Sequence, residues 1–224
     1  MTALCLSLTG VAQEKPHSSI PDPVKHSIVK WAFRMPLDYI MEQAKPLDIN
    51  AFEMIPPEKW AEVQANGCEV LVACGADMGP ERGFSNKDFH PQLIRNYKTV
   101  IPLAAKAGIK YIVCYSGIDY EGDFQRSVDH CTEGLKAIMR SAEKNGVTIL
   151  MELFSPNEAK ARYFKYSYPG YVASSAKIGA MICDRVKSPN LKLLYDVWQM
   201  YDSGANILED IEKYHGYIAH YHVS

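Results

Sequence analysis

From about Ser27 onward, hydrophobic and polar positions alternate between two rhythms. Short runs dense in apolar and β-branched residues cover 27–33, 48–55, 69–75, 111–117, 147–154, 191–197 and 218–223, and each reads as a strand. Runs such as Tyr111-Ile112-Val113-Cys114-Tyr115 and Leu191-Lys192-Leu193-Leu194-Tyr195 are almost continuously apolar or aromatic. That suits parallel strands covered on the outside by helices. Between them apolar residues recur every three or four positions, which predicts helices over 91–107, 125–144, 171–186 and 206–214. Gly108 and Gly146 each stand where a helix ends and a strand begins, as left-handed helix caps do.

Seven strands alternating with helices in one domain leave an open doubly wound sheet or a (β/α)₈ TIM barrel, both of the α/β class. No Gly-rich phosphate loop follows the first strand, which weighs against the dinucleotide-binding version. A barrel needs eight strands, and the pattern stops at Val223 after the seventh. The expectation is therefore a TIM barrel over 24–224, truncated after its seventh strand. Residues 3–12 differ in kind: an apolar run ends with Gly10 and Ala12 at the −3 and −1 positions of a cleavage site before Gln13, and a polar tail follows to Pro23. This reads as a signal peptide remnant without its positive n-region, the alternative being a plain polar tail. A signal implies an exported or periplasmic protein; otherwise the chain is cytoplasmic.

Composition narrows the class of partner. With 47% hydrophobic and 22% charged residues, disorder is excluded as the main state. A net charge of −2 supplies no field for nucleic acid, and no apolar run approaches the ~18 residues of a membrane span. A small-molecule partner is expected, and a homo-oligomer is left open. None of the six cysteines forms a CxxC pair, and most sit in apolar runs as small buried hydrophobes.

The candidate chemistry lies where ionisable residues interrupt apolar strands near their C-terminal ends. Glu152 stands in Leu150-Met151-Glu152-Leu153, Asp196 in Leu194-Tyr195-Asp196-Val197, and His220 and His222 in Ala219-His220-Tyr221-His222. A carboxylate alone in such a strand costs several kcal/mol, so each needs a partner. On consecutive barrel strands, about 4.8 Å apart, Glu152, Asp196 and His222 can converge on one ion at the face where barrel active sites lie. Two carboxylates and an imidazole suit Mn²⁺, Mg²⁺, Co²⁺ or Zn²⁺. His220 shares the face of His222 but lies deeper, where it supports a ligand or meets substrate.

Met151-Glu152-Leu153-Phe154, the stretch from Ser188 to Asp196, and His220-Tyr221-His222 together resemble the hydroxypyruvate isomerase group, a branch of the xylose isomerase-like TIM barrels that also contain ketose 3-epimerases. Phe52-Glu53 and Glu81-Arg82-Gly83 resemble it too, and the likeness runs from about Val24 to Val223. The resemblance implies one divalent ion held by Glu152, Asp196, His222 and a carboxylate from an eighth strand. It also implies that Glu152 and that last carboxylate form the acid/base pair. The chain departs from the pattern at Gln199, three residues past Asp196, where the family usually carries a substrate-facing His. Gln can donate a hydrogen bond but carries no proton at neutral pH.

The implied reaction is isomerisation or epimerisation of a small hydroxy-carbonyl compound or sugar. A metal acts as Lewis acid toward an enediolate while Glu152 moves the proton. Arg82, on a loop at the same face, reads as a contact for a substrate carboxylate or phosphate, or as an exposed loop residue. Glu53 reads as a substrate contact or as the partner of Lys30 or Arg82. Trp198 is the best aromatic candidate for a sugar-binding mouth; Trp31 is weaker and Trp60 reads as helix core. The segment from Arg162 to Tyr168 reads as a loop capping the site. His90, His130 and His215 read as structural. Two other functions compete: an exported carbohydrate- or metabolite-binding barrel without catalysis, and an endonuclease IV-like repair enzyme, which would need further histidine ligands and a basic groove.

Overall fold

The computed structural model describes residues 25–157 and 168–223. The expected leader and tail, and residues 162–167 of the capping segment, lie outside the described residues. The elements run β1 (Ser27–Val29), α1 (Leu37–Ala44), β2 (Ala51–Ile55), α2 (Trp60–Ala65), β3 (Glu69–Ala73), α3 (His90–Lys106) and β4 (Tyr111–Cys114). They continue with α4 (Phe124–Asn145), β5 (Thr148–Glu152), α5 (Ala176–Val186), β6 (Leu191–Asp196), α6 (Val197–Asp202), α7 (Ile207–Tyr214) and β7 (Ile218–His222). All seven strands are parallel and pair in chain order, β1 to β7. Each β-to-β connection carries at least one helix or 3₁₀ turn, as a parallel crossover requires.

The sheet curls on itself: Glu53 of β2 lies within hydrogen-bond distance of His220 and His222 of β7, five strands away in the order. This is the strand order of a (β/α)₈ barrel through its seventh strand. Strand alternation divides the side chains between two layers. Val72, Val113, Leu150 and Leu194, from four successive strands, pack together inside the curl. Phe52, Ile112, Ile149, Met151, Leu193 and Tyr195 face outward into the larger layer with the helices. The parity that buries Leu150 and Leu194 within the curl brings Glu152 and Asp196, two residues on, to its C-terminal rim.

Several elements are shorter than the hydrophobic pattern predicts. β1 ends at Val29 because Lys30–Ala32 forms a 3₁₀ turn closed by Phe33 N–H on Lys30 O. β2 begins only at Ala51, after Asp48 adopts a left-handed φ of 56°. The predicted helix over 171–186 starts at Ala176, where Ser175 caps the Ile178 N–H. Tyr171 and Val172 are held in place instead by a bridge to Ile118 and a hydrogen bond to Gly117 O. The predicted glycine caps are present: Gly146 (φ 63°) ends α4 and Gly108 (φ 76°) follows α3. The described cysteines, Cys68, Cys74, Cys114, Cys131 and Cys183, are all free thiols, and four of them are buried. Trp60 is core, as expected, with its indole N–H on Ile55 O. His90, His130 and His215 bond to the backbone oxygens of Phe84, Ser85 and Glu212.

Candidate metal centre

Four ionisable side chains meet inside the rim: Glu53, Glu152, Asp196 and His222 are only 2%, 3%, 8% and 6% exposed. Asp196 is both the last residue of β6 and the N-cap of α6. Its Oδ1 accepts from Gln199 N–H at 2.9 Å, while Oδ2 lies 3.9 Å from His222 Nδ1. The cap thus fixes one oxygen in the helix terminus and leaves the other toward the centre. Asp196 also sits directly opposite His222 in the β6–β7 register. His222 Nδ1 is 3.1 Å from Glu152 Oε1, and its Nε2 is 3.0 Å from Glu53 Oε2. His220 Nε2 reaches the same Glu53 oxygen at 2.9 Å, and Ser27 Oγ donates to the other.

The described bonds of Glu53 are therefore to Ser27, His220 and His222, and the pairing with Lys30 or Arg82, one of its two sequence readings beside a substrate contact, is not among them. Its strand is distorted around it. The β2–β3 register shifts on both sides of Glu53, and Met54 takes a left-handed φ of 56°. For a non-glycine residue that costs on the order of 1–2 kcal/mol, a kind of strain that bulges concentrate near functional sites.

The electrostatics follow from burial without cationic side chains. The described ion pairs of Glu152 and Asp196 are with His222 alone. Burial pushes the Glu152 carboxyl up, against the pull of His222, and Asp196 and Glu53 add to the rise. Burial likewise raises Asp196, partly offset by backbone N–H groups of Gln199 and Trp198 and by His222. Burial would also raise Glu53, but hydrogen bonds from His220 and His222 outweigh it and bring the carboxyl down to about 2. Burial would lower His222, but the bonds to Glu152 and Glu53 override it and carry the imidazole to about 10. Without a metal the centre is an imidazolium clasped between two carboxylates.

Those shifts have a definite sign. His222, raised from 6.5 to about 10, stabilises the metal-free fold fully below pH 6.5 and loses that contribution as pH climbs to about 10. Glu53, lowered from 4.5 to about 2, stabilises above pH 4.5 and loses its share as pH falls to about 2. The thermal midpoint of chelator-treated protein should accordingly fall as pH rises from 6.5 to 9. The increment from added Mn²⁺ should grow over the same interval, because a ligating imidazole must first lose its proton. Differential scanning calorimetry checks both; a midpoint that climbs with pH in the chelated protein contradicts the clasp.

Among the described residues, two groups of side chains have donor atoms close enough to hold an ion: Glu152, Asp196 and His222, and Glu53, His220 and His222. Ligands about 2.1 Å from one ion stand about 3.0–3.4 Å apart. The 3.1 Å separation of His222 from Glu152 already matches, and the 3.9 Å separation from Asp196 needs only a small inward shift. The three predicted ligands are thus together and fit a hard divalent cation.

The predicted substrate contacts are placed less uniformly. His220 stands at the centre on Glu53, and Trp198, at the start of α6, is half-buried. Gln199 is buried, and its carboxamide oxygen accepts from Ser155 N–H at 2.9 Å, tying the end of β5 to α6. Arg82 is exposed on the β3–α3 loop with its Nε on Met78 O, and Trp31 is exposed after β1. Two buried residues to which the sequence assigned no role at the site complete the rim. Tyr171 donates to Glu152 O and accepts from Ser116 N–H, and Phe154 packs against Tyr115, Tyr168 and Tyr171.

With fold and centre in place, the class is defined: the chain belongs to the xylose isomerase-like TIM barrel family, whose model matches residues 30–224. Among solved structures it is similar to 3-keto-D-glucoside 4-epimerase YcjR from E. coli, at 15% identity over 88% of this chain and 78% of that one, TM-score 0.71. It is similar to the D-psicose 3-epimerase of Clostridium cellulolyticum H10, solved with D-tagatose, at 18% identity over 88% and 72%, TM-score 0.71. A third similar structure is the IolI protein with a bound zinc atom, at 16% identity over 88% and 72%, TM-score 0.69. No curated protein matches the sequence. At these identities the likeness is one of fold.

Proposed function

We propose that this protein is a metal-dependent isomerase or epimerase of a small hydroxy-carbonyl compound or sugar, hydroxypyruvate isomerase-like in its residue pattern. The observation that carries the reading is the convergence of Glu152, Asp196 and His222, all buried, at the C-terminal rim of a barrel of this family. The epimerases among its structural neighbours lend support. A divalent ion, when bound, supplies Lewis-acid polarisation of a carbonyl. Asp196 and His222 would hold it, and Glu152 would share in holding it through one oxygen.

Glu152 then has a second task. Its buried carboxylate, raised in basicity by burial, is suited to take a proton from the carbon beside a carbonyl and return it. Phe154, Tyr168 and Tyr171 form an aromatic wall next to it that would exclude water. Trp198 and Arg82 are the proposed contacts for the remainder of the substrate. Gln199, its oxygen committed to Ser155, would contribute at most its amide N–H. That commitment favours, as a second reading, a barrel that binds such a compound without turnover.

Equilibrium dialysis followed by a turnover assay tests the proposal. The expected result is one Mn²⁺ or Co²⁺ per chain, and metal-dependent conversion of hydroxypyruvate or of a ketose such as D-tagatose or D-fructose. Failure to bind any divalent ion would sink it. One ion and ligand-induced thermal stabilisation without conversion would point to the binding barrel, and several ions per chain to a multi-metal centre of the nuclease kind.

A further inference from the structure

The two potential ion-holding groups share His222, and a neutral imidazole has one lone pair. An ion between Glu152 and Asp196 must take Nδ1, the nitrogen that faces both carboxylates. The proton then belongs on Nε2, and Nε2 faces Glu53 Oε2 at 3.0 Å. We infer that Glu53 is the positioning residue of this centre: it accepts the Nε2–H of His222 and so fixes the tautomer and ring orientation that present Nδ1 to the ion.

Three further observations bear on this role. Glu53 is itself immobilised, with Ser27 Oγ on one carboxylate oxygen and His220 Nε2 on the other. Its backbone lies in a bulge followed by the left-handed Met54, so β2 departs from regular pairing at this residue. The contact also crosses the curl from β2 to β7, so it sets the distance between the ligand His222 and the opposite wall. A carboxylate behind a ligating histidine both orients the ring and strengthens it as a donor, and loss of such a partner typically weakens metal binding about 10–100-fold. The same geometry gives His220 a lesser part: it steadies Glu53 and is not itself a ligand.

The inference rests on the metal centre proposed above, and the test separates the two. Co²⁺ titrations of the full chain, by calorimetry and by visible absorption, would compare wild type with Glu53→Gln and His220→Ala. The expected result is an affinity about 10–100-fold lower in Glu53→Gln, with an altered Co²⁺ ligand-field band, and a change of no more than about threefold in His220→Ala. Wild type binding no Co²⁺ overturns the centre and the inference together. Wild type binding one Co²⁺ with Glu53→Gln unchanged in affinity and spectrum overturns the inference alone. So does a loss in His220→Ala as large as in Glu53→Gln, since that would place the ion between Glu53, His220 and His222. If Glu53→Gln does not fold, Glu53→Asp, which retains the charge one methylene short of Nε2, replaces it. A lower affinity is again expected, and an unchanged one overturns the inference.

Discussion

Replacing Glu152 with Gln is expected to lower turnover by about 10²–10⁴-fold, the usual worth of a positioned general base. The substitution is nearly isosteric and retains an oxygen that can face His222 Nδ1, now 3.1 Å from Oε1. The Tyr171 hydroxyl bonds to the backbone oxygen of residue 152 and is indifferent to the side chain. Packing should therefore survive. The lost negative charge weakens the ion's site, so the assay must be run at saturating metal to isolate the proton-transfer defect. In the metal-free protein the change also removes a buried carboxylate that burial holds in a raised range, which offsets part of the lost ion pair with His222. Circular dichroism and single-turnover kinetics would check both halves. Activity within a few-fold of wild type at saturating metal would remove Glu152 from the proton-transfer role.

What the sequence made legible was local. A carboxylate or histidine inside an apolar strand is visible without coordinates, and strand parity places Glu152, Asp196 and His222 on the inner face. The seven-strand rhythm was equally plain, because parallel strands buried on both sides are written as continuous apolar runs. What stayed hidden depended on contacts distant in the chain. Glu53 and His222 are 169 residues apart, and their meeting requires the curl of the whole sheet. The residues around Tyr171 carry a helical spacing, yet Tyr171 and Val172 lie outside α5. The Tyr171 hydroxyl accepts from Ser116 N–H and donates to Glu152 O, which holds it outside the helix, and Ser175 is the better helix start. Gln199 stands at a position that reads as substrate-facing, but the free N–H of Ser155 beyond β5 takes its oxygen. In each case a tertiary hydrogen bond decides what a local pattern leaves open.

Removing His222 should have the largest effect on the empty fold as well as on the ion. In His222→Ala the Asp196 and Glu152 carboxylates lose their described counter-charge, and Glu53 keeps only His220 and Ser27. Breaking a buried pair from one side typically costs about 3–5 kcal/mol, because the remaining charge stays buried without compensation. The carboxyls can avoid part of that cost by taking up protons. Wild type holds its imidazolium fully below pH 6.5 and loses it as pH climbs to about 10, so the stability gap between wild type and the metal-free variant should be widest near pH 6.5 and shrink toward pH 9. A deeper substitution on the same strand supplies the contrast. His220→Ala leaves the bonds of His222 to Glu152 and Glu53 in place, so its stability loss should be smaller and its metal affinity nearly unchanged. Urea unfolding at pH 6.5 and pH 9, with and without chelator, resolves the two variants. A stability gap that does not shrink between pH 6.5 and pH 9 would mean that the imidazole is not held as a cation between Glu53 and Glu152.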